Sequence, residues 1–159
     1  MAKRPLVIAA LLILLALVRS GQAAPAPIQA QGSSPYCLFA VDAYLAGVDM
    51  WQLEAEYHRR QLPVWPGSVI PKNPNILELA TALYGTRWQV QPYQDLAAAR
   101  AAVVAGHPTA FTGQGHAIVV IGWRRGVVTY LDSLHPERPL TQSEAALQAW
   151  WDGWAWYAE

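Results

Sequence analysis

The chain has 159 residues, with 11 basic and 11 acidic side chains, and its formal net charge at pH 7 is zero. Because it has neither a basic stripe nor an acidic run, the sequence argues against a nucleic-acid partner. Hydrophobic residues make up 53% of the chain, and an apolar N-terminal segment accounts for part of that content. The remaining ~130 residues are enough for one domain with a single core.

The N-terminus has the pattern of a secretory signal peptide. Two basic residues precede an uninterrupted apolar run over residues 6–18, and small residues follow at Gly21 and Ala23. This order of basic, apolar and small residues predicts a signal peptide over residues 1–23. The apolar run is shorter than the ~20 residues of a membrane-spanning helix, so an uncleaved anchor is the weaker alternative.

Residues 24–30 predict an extended linker, because Pro25 and Pro27 disfavour regular secondary structure. The folded domain is then predicted over residues 31–159. We therefore expect a secreted or extracytoplasmic protein, which would contact a membrane only through an uncleaved N-terminal segment.

The first predicted helix carries the single cysteine of the chain. Ser34 suits the N-cap and Pro35 the first helical position, and the helical pattern ends near Gly47. Cys37 then lies in the first turn, where the N–H groups and the partial positive charge favour a thiolate. A lone cysteine cannot form an internal disulfide, so it is a free thiol, an intermolecular bridge or a buried hydrophobe. Taken alone, Cys37 is better interpreted as a buried structural thiol.

Capping residues, periodicity and prolines predict six further segments before the centre of the chain. They are a helix from Asp49 to about Arg60, a proline-rich loop over 62–73, a helix over 74–84 with Asn73 as cap and Gly85 as stop, a strand over 88–91, a helix over 95–105 and a strand over 109–112.

Two apolar runs joined by a tight turn predict a buried hairpin at the centre. The first run begins at His116, the turn contains Gly126, and the second run ends at Asp132. Apolar side chains on both faces of the first run are typical of a central strand. Antiparallel pairing would bring Asp132 beside His116, as a carboxylate that orients a catalytic base. A capped histidine and a turn aspartate are the alternative interpretation.

After the hairpin, the sequence predicts a loop, a last helix and a terminal strand. The loop covers residues 135–139, a capping-box pattern of Thr141 and Glu144 opens the helix, and the strand covers residues 154–157. Because helices come first and mainly antiparallel strands follow, the fold class is α+β.

Four of the eight tryptophans lie between residues 150 and 156. Such a cluster can form a sugar-binding or membrane-interface surface. We expect these rings mainly to pack the last helix and strand onto the sheet, with some of them lining a substrate cleft. His58, His107 and His135 are expected at the surface or in turns, and no histidine–carboxylate cluster predicts a metal site.

Cys37, His116 and Asp132 are the residue types that a thiol nucleophile, its base and an orienting acid require. A fourth element fits the same chemistry. Gln31 precedes Cys37 by six residues, and its amide with the Cys37 N–H would form an oxyanion hole.

These residues and their spacing resemble those of papain-like cysteine peptidases, specifically the compact bacterial branch that resembles the bacteriocin-processing (double-glycine leader) peptidases. In that family a Gln precedes the helix-starting Cys by a similar interval, and a Gly-His hairpin leads to an Asp or Asn. The resemblance covers roughly Gln31 to Tyr157. It implies Cys37 as nucleophile, His116 as base, Asp132 as orienter and Gln31 as oxyanion donor.

The resemblance also implies the architecture, with N-terminal helices packed on a mainly antiparallel sheet and the catalytic cysteine at a helix N-terminus. Many relatives have Asp or Asn just before the cysteine and Gly or Trp just after it, whereas Tyr36 and Leu38 occupy these positions here. For this reason the double-glycine substrate is not carried over to this chain.

The sequence thus predicts a secreted thiol hydrolase that cleaves peptide bonds in a peptide or protein substrate, without a cofactor or a metal ion. Two alternatives remain within related chemistry, a peptidoglycan amidase and a transglutaminase-like acyl transferase. A third alternative is a non-catalytic extracytoplasmic binding module on the same fold.

Overall fold

The computed structural model describes residues 27–32, 36–62, 74–91 and 95–159. The predicted signal peptide, the first part of the predicted linker and nearly all of the proline-rich loop lie outside these ranges, so they stay predictions. Within the described ranges, no helix is both long enough and apolar enough to cross a membrane.

Five helices and a six-stranded antiparallel sheet make up the described fold. The helices are α1 (Cys37–Ala46), α2 (Met50–Arg59), α3 (Pro74–Tyr84), α4 (Leu96–Val104) and α5 (Glu144–Trp150). The strands are β1 (Trp88–Gln91), β2 (Thr109–Gly113), β3 (His116–Arg124), β4 (Val127–Leu131), β5 (Leu140–Ser143) and β6 (Ala155–Ala158). Their order in the sheet is β1-β6-β2-β3-β4-β5. The predicted α+β class is confirmed.

The helix ends follow the capping residues in most places. The carboxylates of Asp49 and Asp95 accept hydrogen bonds from N–H groups in the first turns of α2 and α4, both at 2.9 Å. Gly47 ends α1 with a φ of 68°, a left-handed conformation that costs glycine little. These three boundaries confirm the predictions.

The predicted cap of α1 is wrong. The N-cap is Tyr36, whose side chain makes no capping hydrogen bond, and Ser34 and Pro35 lie outside the described residues. All of the first seven residues of α1 are buried, so tertiary packing fixes where this helix starts. Cys37 nevertheless stands in the first turn, as predicted.

The capping box at Thr141 and Glu144 is also wrong, because residues 140–143 form the edge strand β5. Thr141 pairs with Thr129 of β4, and the hydroxyl of Ser143 caps α5 instead. The carboxylate of Glu144 accepts from the indole N–H of Trp123 at 3.0 Å rather than returning to the helix cap.

The sheet is covered on both faces. Ala117, Val119 and Ile121 of β3 face the core shared with α1, α2 and α3, whereas Ile118 and Val120 face the core under α4 and α5. This alternation confirms β3 as a central strand with two apolar faces. His116 stands where β3 begins, and Asp132 follows the end of β4.

Two tight turns set this geometry. Gln114 and Gly115 connect β2 to β3, and Arg125 and Gly126 connect β3 to β4, all four with φ between 50° and 78°. Two consecutive positive φ values are typical of the type I′ hairpin, whose twist matches that of the strands. The second turn sets Val119 opposite Leu131, so the residue after β4 comes level with the start of β3.

Candidate active site

Cys37 is the first residue of α1, and only 7% of it is exposed. Its thiol is free of any disulfide. The unsatisfied N–H groups and the partial positive charge of a helix N-terminus favour negative charge at this point. A thiolate nucleophile and the oxyanion of a tetrahedral intermediate both carry such a charge.

His116 links the cysteine to a carboxylate. Its Nε2 lies 2.8 Å from Oδ1 of Asp132, and its imidazole also interacts electrostatically with the side chain of Cys37. With Nε2 engaged by the carboxylate, Nδ1 is the ring nitrogen left for the sulfur. The same carboxylate oxygen accepts from the backbone N–H of Leu134 at 2.9 Å, which fixes its position.

The pKa values of His116 and Asp132 are shifted in opposite directions. Burial lowers the pKa of His116, but its hydrogen bond to the Asp132 carboxylate and its electrostatic interactions with Asp132 and Cys37 outweigh this effect and raise that pKa to about 9. Burial raises the pKa of Asp132, but the hydrogen bonds from His116 and Leu134 and the positive charges of His116 and His135 lower it overall. At neutral pH the pair is therefore an imidazolium and a carboxylate.

Gln31 is held by the residue that follows Asp132. Its backbone N–H donates to the carbonyl oxygen of Ser133 at 3.2 Å, and the hydroxyl of Ser133 donates to its Oε1. Both residues are buried, with 7% and 1% of their surfaces exposed. Ser133 therefore fixes both the backbone and the amide carbonyl oxygen of Gln31.

The segment before Gln31 is clamped to the helices. Ile28 is buried, and the amide of Gln29 donates to Asp49 at 2.7 Å and accepts from the N–H of Met50 at 2.5 Å. This clamp ties the segment that carries Gln31 to the start of α2.

All four predicted site residues thus come together. Gln31 contacts Ser133, whose neighbour Asp132 contacts His116, which in turn contacts Cys37. Sequence reasoning missed Ser133, and the signal available was its position directly after the predicted orienting acid.

A second buried carboxylate was also missed. Asp42 lies in α1, five residues after Cys37, and is fully buried. Its Oδ1 accepts from the indole N–H of Trp156 at 2.8 Å, whereas Oδ2 has no hydrogen-bond partner in the part of the chain that the structure describes. Burial raises the pKa of Asp42 to about 8 against the lowering effect of the Trp156 hydrogen bond. An acid within an otherwise apolar helical run was the available signal.

The remaining histidines lie at the surface, as predicted. His58 pairs with Glu54 at 2.8 Å, His107 stacks on Tyr157, and His135 is exposed in the loop between β4 and β5. Among the residues with described positions, no group of three or more His, Cys, Asp or Glu side chains is arranged to hold a metal ion.

A cleft of about 170 Å³ adjoins the catalytic candidates on the α5 face of the sheet. His116 and Asp132 form part of its wall together with Ile118, Tyr130, Gln142 and Trp150. A larger cavity of about 560 Å³ lies beside the α1–α2 turn, next to Tyr44 and Pro108, and none of the four site residues lines it.

The described fold is similar to peptidase domains of known structure. The peptidase domain of Streptococcus ComA, a bi-functional ABC transporter involved in a quorum-sensing pathway, matches with a TM-score of 0.64 at 17% identity, over 84% of this chain and 97% of that domain. The N-terminal peptidase C39-like domain of a toxin secretion ATP-binding protein from Vibrio parahaemolyticus matches with a TM-score of 0.54 at 12% identity, over 79% and 93%. The chain has the fold of a C39 peptidase domain.

A third C39-type neighbour is a double-glycine-motif protease from an AMS/PCAT transporter, solved in complex with the leader peptide. It matches with a TM-score of 0.59 at 16% identity, over 86% of this chain and 94% of that one. No family model matches the sequence, and no curated protein matches it significantly. The papain-like resemblance inferred from the sequence is confirmed at the level of the fold.

Proposed function

We propose that the protein is a secreted cysteine peptidase that hydrolyses peptide bonds in a peptide or protein substrate. Cys37 is the nucleophile and His116 its base and acid. Asp132 holds the imidazole, and Gln31 donates a hydrogen bond to the oxyanion. The observation that carries the proposal is the imidazole of His116, which hydrogen-bonds with Asp132 at 2.8 Å and interacts electrostatically with Cys37 at the start of α1.

In the proposed reaction, the Cys37 thiolate attacks the carbonyl carbon of the scissile bond, and an electron pair moves onto the carbonyl oxygen. The N–H of Cys37 and the amide of Gln31 stabilise the resulting oxyanion. As the intermediate collapses, the C–N bond breaks and the imidazolium of His116 protonates the leaving nitrogen. Water then attacks the thioester while neutral His116 takes its proton, which releases the acid and restores the ion pair.

Alkylation of Cys37 tests the nucleophile directly. We expect iodoacetamide to label the wild-type protein rapidly at about pH 6, well below the pKa of ~8.5 of an ordinary thiol. In His116→Ala the labelling should become slow at this pH, because the charge partner is lost. His58→Ala removes an exposed imidazole of α2 and should label like the wild type. Slow labelling of the wild type, or equal labelling with and without His116, would leave a non-catalytic binding module as the better interpretation.

Three substrate assays separate the peptidase from its chemical alternatives. Release of fragments from casein supports a peptidase, cleavage of purified cell wall supports a peptidoglycan amidase, and incorporation of an amine acceptor supports an acyl transferase. Cys37→Ser is the control for all three, because the hydroxyl has nearly the same size but does not form the thiolate.

The secretion proposal is tested by the N-terminal residue and the location of the expressed protein. Support comes from the sequence pattern over residues 1–23. When the full chain is expressed in a secreting host, we expect the extracytoplasmic product to begin at Ala24. Intact protein that begins at residue 1 and stays in the cytoplasm would contradict the secretion proposal without affecting the catalytic one.

A further inference from the structure

The cleft on the α5 face has the size of a single side chain. Its volume of about 170 Å³ is well below the ~300–1,000 Å³ of pockets that enclose whole small ligands. Ile118, the ring of Tyr130 and the indole of Trp150 form the apolar part of its lining, and His116, Asp132 and Gln142 form a polar part of similar extent. A site of this size fits one side chain of a longer substrate, which its apolar walls can contact.

The tryptophan wall is fixed by close packing. A Cβ atom at Gly113 would overlap the carbonyl oxygen of Trp150 and would lie 2.6 Å from its indole ring, so the glycine lets this residue sit directly on β2. The next residues are tied to the same strand. The backbone N–H of Asp152 donates to the carbonyl of Thr112 at 2.9 Å, and the Thr112 hydroxyl donates to the Asp152 carboxylate at 2.5 Å. The cleft is therefore formed before any substrate binds.

The position of the cleft relative to the reacting groups gives its role. His116 and Asp132 line it, whereas neither Cys37 nor Gln31 does. In an acyl transfer to Cys37, the acyl part of the substrate stays with the sulfur and the oxyanion donor. The leaving nitrogen must reach the imidazole that protonates it. The residue that carries this nitrogen must therefore pass close to His116, which lines the cleft.

We propose that this cleft is the subsite for the residue that follows the scissile bond, and that it selects an apolar side chain of about the size of leucine to phenylalanine. The inference rests on the proposed peptidase function. Trp150 and Ile118 supply the apolar contact, and Tyr130 and Gln142 close the sides. A substrate with glycine at this position would leave the apolar walls without a contact. A substrate with aspartate there would lose hydration of its carboxylate and would bring it close to the Asp132 carboxylate.

Cleavage of a diverse peptide library, with the new N-termini identified by mass spectrometry, tests the subsite and does not require that the natural substrate be identified first. For the wild type we expect leucine, methionine and phenylalanine to exceed glycine by roughly tenfold at the first position after the cut, since burying such a side chain is worth about that factor. In Trp150→Ala this preference should fall to about twofold, whereas the preference before the cut should not change.

Two further variants make the test specific. Gln142→Phe adds a ring at the half-buried edge of the cleft and should shift the preference towards glycine and alanine, which keeps the test decisive if Trp150→Ala does not fold. Trp51→Ala removes an indole from α2 that is 48% exposed and should keep the wild-type preference. Circular dichroism and thermal unfolding establish that each variant is folded.

The outcomes distinguish the subsite from the function on which it rests. Library cleavage with no preference after the cut, or with a preference that neither cleft variant changes, overturns the subsite and leaves the peptidase proposal intact. A library that stays uncut, together with slow alkylation of Cys37, overturns the peptidase proposal and the subsite with it. A preference that is relaxed by Trp150→Ala and reversed by Gln142→Phe establishes the subsite.

Discussion

Two regions of the molecule bury a carboxylate and treat its charge in opposite ways. In the loop after β4, Asp132 is 8% exposed and ionised beside an imidazolium. Inside α1, Asp42 is 0% exposed and its pKa is about 8, so it is mainly protonated at neutral pH. Asp42 lies deeper than Asp132, but both are largely removed from solvent, so depth gives only part of the difference.

The hydrogen-bond and charge partners of the two carboxylates account for the rest of this difference. Asp132 accepts from the Leu134 N–H and from His116, and two histidine charges act on it. Asp42 accepts from the Trp156 indole, while its second oxygen has no partner within the described ranges. An ionised carboxylate survives burial only where donors and positive charge replace its hydration. The loop after β4 thus holds a charged carboxylate, whereas the core position in α1 excludes the charge.

The two carboxylates therefore affect stability in opposite directions of pH. The pKa of Asp132 is lowered from 3.8 in the folded state, so its contribution is present above that value and is lost as the pH falls through the folded pKa. The pKa of Asp42 is raised from 3.8 to about 8, so its contribution is complete below 3.8 and is lost as the pH rises through about 8.

The largest expected effect follows from removing the ionisable group at Asp42. Between about pH 4 and pH 8 the wild-type free energy of unfolding should fall by an amount on the order of several kcal/mol, because folding resists deprotonation of Asp42. Asp42→Asn keeps an oxygen that accepts from Trp156 and should remove the fall below about pH 6.5, whereas above that value the raised pKa of His116 still contributes a fall of its own. Urea unfolding at a series of pH values measures it.

Asp95→Asn is the matched control for this experiment, because it removes an exposed carboxylate at the N-cap of α4. It should keep the wild-type pH slope, with a constant loss of about 1 kcal/mol or less for the altered cap. If the free energy of unfolding changes with pH equally in the wild type and in Asp42→Asn, Asp42 is not the source of the pH dependence.

The next largest effect is expected from removing the carboxylate of the Asp132–His116 ion pair. Asp132→Ala removes the carboxylate that holds His116, so kcat/KM on a cleaved peptide should fall by roughly 100-fold. The pKa of His116 should fall from about 9 towards its ordinary 6.5, because the largest raising interaction is gone. NMR titration of the imidazole measures this shift separately from the rate.

Asp132→Asn distinguishes the charge from the hydrogen bond. Its side-chain oxygen can still accept from Nε2 of His116, so the loss in kcat/KM should be smaller than in the alanine variant, while the pKa of His116 should still fall. An Asp132→Ala enzyme with wild-type kcat/KM would contradict the orienting role.

A smaller effect is expected where the same loop holds Gln31, the proposed oxyanion donor. Ser133→Ala removes the hydroxyl that donates to Gln31, so the amide is no longer fixed and kcat should fall about tenfold, less than the loss of a whole oxyanion donor. KM should change little, because the lost contact acts on the transition state. Ser133→Thr keeps the hydroxyl and should recover most of kcat. A change in KM alone, or no recovery with threonine, would argue for a merely structural serine.

The sequence is most informative where local rules determine geometry. The turn at Gly126 and the alternating apolar residues of β3 predict that Asp132 and His116 meet, and the structure places them 2.8 Å apart. The sequence likewise predicts, to within a few residues, the helix that begins with Cys37. The catalytic roles of these residues remain a proposal.

Features that depend on distant parts of the chain are not predictable in this way. Ser133 gains its role only because Gln31, 102 positions earlier, is folded against it, and Asp42 meets Trp156 across 114 positions. Strand β5 has four residues with little apolar alternation, and it forms because β4 offers it a partner. In each case the structure is determined by a contact with a distant part of the chain, which the local sequence pattern does not predict.

The smallest expected effect concerns His135, whose charge also acts on Asp132. It lies in the exposed part of the loop, where water and salt screen its charge, so it should contribute far less than the buried contact with His116. We expect His135→Ala to change kcat/KM by less than about twofold at physiological salt. A slightly larger effect at low salt would agree with a screened charge. A loss as large as that in Asp132→Ala would mean that the ionised state of Asp132 depends on this exposed residue. The difference between Asp132 and Asp42 would then come from the charge of His135 as well as from the hydrogen bonds made inside the site.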